Sequence, residues 1–292
     1  MGQQAYRTGE EWFRQRELLT EIKRHRIVQR ESLAGVCMPK APVNGIELHY
    51  EAEGDGPAVV FCHGVGGNHM SWWQQVPEFA RDFRAVVFDQ RGFAESRLPP
   101  EAPGAEAFAD DLAGLLDHLG IDEAYLVGQS MGGRTVLNFA RRHPHRVKAM
   151  VMAATMANIR TPELDQMRRE VRERLPKDRL LFSMSARVWE ERPDLGFLYK
   201  LIRSRNPDRP KNFLFRDNVP GTTAEDLASV TAPVLFIVGE EDQIAPPPCV
   251  ETASRLFPNA RLVRVPEAGH SVYFEQPQVF NRVVREFFDE SR

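Results

Sequence analysis

The sequence predicts an α/β protein: a doubly wound, mostly parallel sheet with an inserted helical cap and an extra N-terminal helix. Three observations carry this. Short apolar runs suited to buried strands alternate with amphipathic helical stretches from residue 46 to 153 and again from 233 to 289, and such alternation builds a parallel sheet covered on both faces. Between those blocks, from Thr155 to about Val230, the chain is charged, proline-punctuated and helical in pattern. Finally, Gly128-Gln129-Ser130-Met131-Gly132 sits between an apolar run and a helical one, where a strand turning sharply into a helix needs residues without a Cβ.

Composition sets the outer limits. The 292 residues are 42% hydrophobic with net charge −3, enough for one catalytic-size domain plus an insertion, and no nucleic-acid-binding surface is implied. Cys37, Cys62 and Cys249 are an odd, scattered set without a CxxC pair, as expected of reduced thiols in a cytoplasmic protein. Residues 1–30 hold charges throughout and no apolar h-region, and no uncharged run is long enough to cross a bilayer. The expectation is an unprocessed protein without stable membrane insertion.

In chain order, residues 10–34 place Trp12, Leu18, Leu19, Ile22 and Leu33 at helical spacing among many charges. This helix is expected to pack outside the domain or to mediate homo-oligomer formation; interleaved acidic residues argue against a membrane surface. Pro39 and Pro42 read as a linker. Ile46 to Tyr50 alternates as a half-exposed strand does, and residues 58–62 (AVVFC) form a buried one. In the HGVGGNH that follows, Gly64, Gly66 and Gly67 permit close approach to a ligand at a strand's carboxyl end. A dinucleotide fingerprint fails there, since His69 stands where its third glycine belongs. Of Trp72 and Trp73 on the next helix, one is expected in the core, and the sequence leaves open which. Residues 85–88 are another buried strand, and Asp89 and Arg91 after it suit structural hydrogen bonding in a tight turn. Residues 106–119 read as an amphipathic helix stopped by Gly120. Ala124 to Val127 is the strand before the serine, and Val136, Leu137, Phe139 and Ala140 recur at helical spacing until Pro144. The aromatics and methionines of the insertion are expected mostly in its own small core, with a minority lining a substrate pocket.

The chemistry-bearing residues lie at strand ends. A serine hydroxyl needs a base, and the base needs an orienting carboxylate. Residues 233–239 form a strand followed by Glu240, Glu241 and Asp242, any of which could orient a histidine; spacing and the short side chain favour Asp242. The strand at 261–265 leads to Gly269 and His270, the sole histidine after Asp242. Ser130, Asp242, His270 is the chain order of an α/β-hydrolase triad.

On these motifs the sequence resembles the α/β-hydrolase superfamily, in its serine-nucleophile form with a helical cap, over about residues 43–290. The resemblance implies residues 1–40 as an N-terminal extension, 41–156 with 227–292 as the core, and 157–226 as the cap. It implies Ser130, Asp242 and His270 as catalytic residues and the N–H groups of Val65 and Met131 as the oxyanion hole. Gln129 stands where the family often has histidine, and Ala94 replaces a frequent glycine. Relatives that open epoxides use aspartate at the elbow, so Ser130 implies acyl transfer to water. The expected activity is hydrolysis of a small-molecule carboxylic ester through an acyl-enzyme, with no metal or organic cofactor. Carbon–carbon bond or enol-lactone hydrolysis, a cofactor-free perhydrolase or oxygenase, and a ligand receptor on a hydrolase frame are the alternatives.

Overall fold

A computed structural model describes residues 39–99, 102–210, 213–214 and 221–292. The predicted N-terminal helix, Cys37 and one aromatic residue of the insertion, Phe215, lie outside the described residues. The chain opens with an antiparallel hairpin, β1 (Lys40–Val43) and β2 (Ile46–Glu53). Here the structure corrects the linker expected at Pro39 and Pro42. Ala41 and Val43 alternate inward, Asn44 and Gly45 take the positive φ values (44° and 78°) of a tight hairpin turn, and Pro42 sits on an edge strand where its missing N–H costs little.

Six parallel strands follow: β3 (Ala58–Cys62), β4 (Arg84–Phe88), β5 (Ala124–Gln129), β6 (Val147–Ala153), β7 (Val234–Gly239) and β8 (Arg261–Val265). The eight-stranded order is β1-β2-β4-β3-β5-β6-β7-β8, which puts β5 and its serine in the middle. The helices are α1 (Val76–Phe79), α2 (Phe108–His118), α3 (Met131–Arg142), α4 (Pro162–Arg174), α5 (Ala186–Glu191), α6 (Pro193–Ser204), α7 (Pro247–Ser254), α8 (Val272–Glu275) and α9 (Pro277–Glu290). Helix α2 starts two residues later than its periodicity suggests, because Ala105–Ala107 is a 3-10 turn.

Strand side chains alternate between faces, and each face is covered. Val60, Val86, Leu126, Met150 and Phe236 pack under α2, α3 and α7 through Leu112, Leu116, Val136, Phe139 and Val250. Phe61, Val87, Val127, Val151 and Ile237 face the other way, into Trp72, Phe79, Tyr273, Phe280 and Phe288. Trp72 is therefore the core tryptophan, its ring 4.4 Å from that of Tyr273, while Trp73 is 45% exposed. In the β6–β7 insertion, Met184, Val188, Leu195, Tyr199 and Ile202 join that second core, so these side chains anchor the insertion to the sheet side rather than forming a core apart. Phe197 is exposed, and Phe213 packs with Phe93 and Phe108.

The structural reading of the loop after β4 holds. Buried Arg91 pairs with Asp111 of α2, and Asp89 accepts the backbone N–H and ring N–H of His69 at 2.8 Å each.

Candidate active site

Ser130 occupies the turn between β5 and α3 with φ 52° and ψ −111°, a conformation that costs a non-glycine residue about 1–3 kcal/mol. What holds it there is its surroundings: its N–H donates to Ala153 O on β6 at 2.9 Å, and the neighbouring glycines let backbone pass where no Cβ fits. A Cβ at Gly132 would collide with the Cys62 carbonyl of β3, and one at Gly128 would lie 2.6 Å from Gly132 O.

The structure brings the three sequence-predicted side chains together from three different strand ends. His270 Nε2 lies 2.9 Å from Ser130 Oγ, and His270 Nδ1 lies 2.9 Å from Asp242 Oδ2. Asp242 is buried, and its other oxygen accepts the N–H groups of Ile244 and Ala245 at 2.8 and 2.9 Å, which fixes the carboxylate plane. Glu240 and Glu241 turn outward to Arg264 and Arg187 at 3.7 and 3.3 Å, so of the three consecutive acids only Asp242 reaches the imidazole.

The loop bearing His270 is braced from both sides. Partly buried Glu275 accepts the N–H groups of Gly269, Ser271 and Ser185 at 3.0, 3.1 and 2.8 Å. Burial raises the pKa of the Glu275 carboxyl, and these donors pull it partly back. Gln129, at the position noted as a departure from the family, donates its side-chain amide to His270 O at 3.0 Å.

Val65 and Met131 both line the cavity above Ser130, and among the described residues no hydrogen bond occupies either backbone N–H. In a trans peptide the N–H points opposite to the C=O, so anchoring the carbonyl aims the N–H. Gly64 O accepts from His63 Nδ1 at 2.8 Å and from Gly67 N–H at 3.1 Å. Because Gln90 N–H donates to His63 Nε2 at 3.0 Å, the proton of this ring belongs on Nδ1; burial pushes His63 down to about 4, so it remains neutral. Ser130 O likewise accepts from Thr155 Oγ at 2.7 Å and from Gly133 N–H at 3.1 Å, and Thr155 Oγ accepts from Ala157 N–H at 2.9 Å. Sequence reasoning missed His63, Thr155 and Glu275 as supports. His63 had a signal, since it precedes the glycine loop; Thr155 and Glu275 had none, as their partners are backbone groups distant in sequence.

The cavity has a volume of about 760 Å³ and is bounded by α3, the insertion and the loops after β3, β7 and β8. Of the insertion's aromatics, Tyr199 lines it. One described cluster has metal-ligand chemistry, His49, His69 and Asp89, whose ligand atoms lie within 4.8 Å of one another. It stands apart from the cavity lining, and Asp89 there already holds His69. Among the described residues no helix is long and apolar enough to cross a membrane.

The fold and this strand-end constellation define an α/β hydrolase. A family profile described as alpha/beta hydrolase fold matches residues 57–225, and one described as TAP-like protein matches residues 215–292. The 2-hydroxy-6-oxo-2,4-heptadienoate hydrolase of Pseudomonas putida is 30% identical, with 83% of this chain and 93% of that protein covered. Among solved structures, a thermophilic esterase from Thermogutta terrifontis aligns with TM-score 0.72 at 30% identity, covering 87% of this chain and 98% of that one. Est816, described as an N-acyl homoserine lactone degrading enzyme, aligns with TM-score 0.71 at 26% identity, covering 85% and 100%. The chain belongs to the alpha/beta hydrolase fold family and is an enzyme of that fold.

Proposed function

We propose that the protein is a serine hydrolase of small carboxylic esters or lactones, with Ser130 as nucleophile, His270 as base and Asp242 as its orienting acid. The observation that carries the reading is the unbroken hydrogen-bonded chain Ser130–His270–Asp242, 2.9 Å at each link. His270 Nε2 takes the Ser130 proton as Oγ attacks the substrate carbonyl. The oxyanion forms against the N–H groups of Val65 and Met131, and the His270 imidazolium, stabilised by Asp242, returns the proton to the departing alkoxide. Water activated by His270 then cleaves the acyl-enzyme. Residues 157–226 act as the cap that sets acyl preference; supporting this, α4, α6 and the segment between them contribute much of the cavity wall. The Pseudomonas putida relative favours a second reading, hydrolysis of a carbon–carbon bond next to a carbonyl by the same groups.

The test is a panel of p-nitrophenyl esters of graded chain length, lactones and dienol-keto acids, on the wild type and Ser130→Ala, with an aryl or alkyl fluorophosphonate as covalent label. The expected result is ester or lactone turnover that Ser130→Ala abolishes, with the label on Ser130. Labelling at another residue refutes the nucleophile, and turnover of dienol-keto acids alone selects the second reading.

A further inference from the structure

The chain as a whole is slightly acidic, yet the wall of the cavity above Ser130 is strongly cationic. Arg134, Arg169, Arg172, Lys177, Arg179 and Arg203 line it. Its lining contains a single carboxylate, Asp165, and that one is engaged by Arg160 and Arg168 at 2.7 and 2.8 Å. Arg203 meets Asp178 at 3.6 Å, an exposed residue outside the lining. Among the described residues no ion pair reaches Arg134, Arg169, Arg172, Lys177 or Arg179. A cleft lined by cations carries a positive potential that concentrates anions within it.

Two places focus that charge. Arg134 is one helical turn beyond Ser130 on α3, is only 7% exposed, and donates through Nη1 to Leu214 O at 2.8 Å. No other hydrogen bond within the described residues uses its guanidinium fork. Burial lowers the Arg134 pKa, with the charge of Glu106 opposing the shift. In the segment after α4, Arg179, which lines the same cavity, is lowered first by burial and then by the positive charge of Arg172. Taking a guanidinium out of water without a carboxylate partner is costly, and a bidentate anion reverses that cost.

We propose that the natural substrate carries a carboxylate in addition to the carbonyl that Ser130 attacks, and that Arg134, with Arg172 and Arg179, receives it. A planar carboxylate matches the arginine fork with two parallel hydrogen bonds, and the cationic wall draws such a substrate from solution. This inference rests on the serine-hydrolase reading above, and the test separates the two.

The test compares kcat/KM for mono-p-nitrophenyl glutarate with that for p-nitrophenyl valerate, which has the same acyl length without the second carboxylate, after subtraction of spontaneous hydrolysis. The wild type is expected to favour the glutarate by about ten- to hundredfold, the range of one or two charge-assisted contacts. Raising the salt to about 0.5 M should shrink the ratio. Arg134→Gln should lower the ratio about tenfold or more, with part of it restored in Arg134→Lys. The paired substitution Arg172→Gln with Arg179→Gln, at more exposed positions, gives the same reading if the Arg134 variant fails to fold. Calorimetry of glutarate, with inorganic phosphate as the control anion, reads the anion site without turnover. Valerate turned over as well as glutarate, with Ser130 labelled, overturns this inference and leaves the hydrolase reading standing. No turnover and no label, with glutarate binding that is lost in the paired variant, overturns the hydrolase reading and leaves the anion site. Tighter binding of phosphate than of glutarate, or no binding of glutarate, overturns the carboxylate assignment.

Discussion

Replacing Asp242 by asparagine isolates the part of the site that depends on charge and tautomer rather than shape. Asp242 Oδ1 is held by two backbone donors, Ile244 N–H at 2.8 Å and Ala245 N–H at 2.9 Å, while Oδ2 faces His270 Nδ1 at 2.9 Å. In Asp242→Asn the amide oxygen must stay with the two N–H donors, so the NH₂ group is turned to the imidazole. Nδ1 must then accept, its proton moves to Nε2, and Nε2–H points at Ser130 Oγ, where it can no longer take a proton. The loss of imidazolium stabilisation adds to this. In the serine-protease template the same change costs about 10⁴-fold, so kcat is expected to fall by about two to four orders of magnitude, or about 2.7–5.4 kcal/mol of transition-state stabilisation. Because the substitution is isosteric and keeps both backbone hydrogen bonds, the melting temperature should change by only a few degrees, of order 1 kcal/mol. The assay is steady-state hydrolysis of the best ester from the panel, with thermal unfolding alongside. Glu240→Gln and Glu241→Gln are the controls; each loses an exposed, solvent-screened ion pair that faces away from the imidazole and should stay within about tenfold of wild type. An active Asp242→Asn beside a crippled Glu241→Gln would refute the reasoning.

Thr155→Val keeps the shape of the side chain but releases the Ser130 carbonyl, so the Met131 N–H loses its aim; kcat should fall about tenfold with KM little changed, less than the 10²–10³ typical of deleting an oxyanion donor outright, and an unchanged kcat would show that Gly133 N–H suffices alone. The buried His69–Asp89 pair gives a pH prediction. Burial pushes His69 down, but hydrogen bonding and the charge of Asp89 outweigh it and leave its pKa above the ordinary 6.5; burial pushes Asp89 up, but His69 outweighs it and leaves Asp89 below 3.8. The pair's contribution to stability is thus complete between those two ordinary values, is lost as pH rises through the raised His69 pKa, and is lost on the acid side as Asp89 protonates. His69→Gln should therefore flatten the fall in melting temperature between about pH 6 and pH 9, and equal slopes in the two proteins would remove the pair from the account.

Seven of the eight strands and the serine turn were legible along the chain. Strand runs such as AVVFC and VLFIVG are apolar on both faces because both faces are covered, and a pattern dictated by burial is visible without coordinates. The elbow was equally legible, since the close approach of Gly132 to the Cys62 carbonyl admits no other residue type. The first strand was hidden because Pro39 and Pro42 read as a linker along the chain, although at a sheet edge a proline costs almost nothing. Spacing and the short side chain already favoured Asp242 over its two neighbours along the chain; the tertiary structure added direction, with Asp242 turned to the imidazole and both glutamates turned outward. It alone supplied Thr155 and Glu275, whose partners are backbone groups that leave no side-chain pattern to match. And it alone gathered the arginines of α3, α4, α6 and the segment after α4 round one cavity. Read along the chain they are a charged, solvated stretch; in the fold they share a wall, because the insertion returns over the carboxyl ends of the strands where Ser130 emerges.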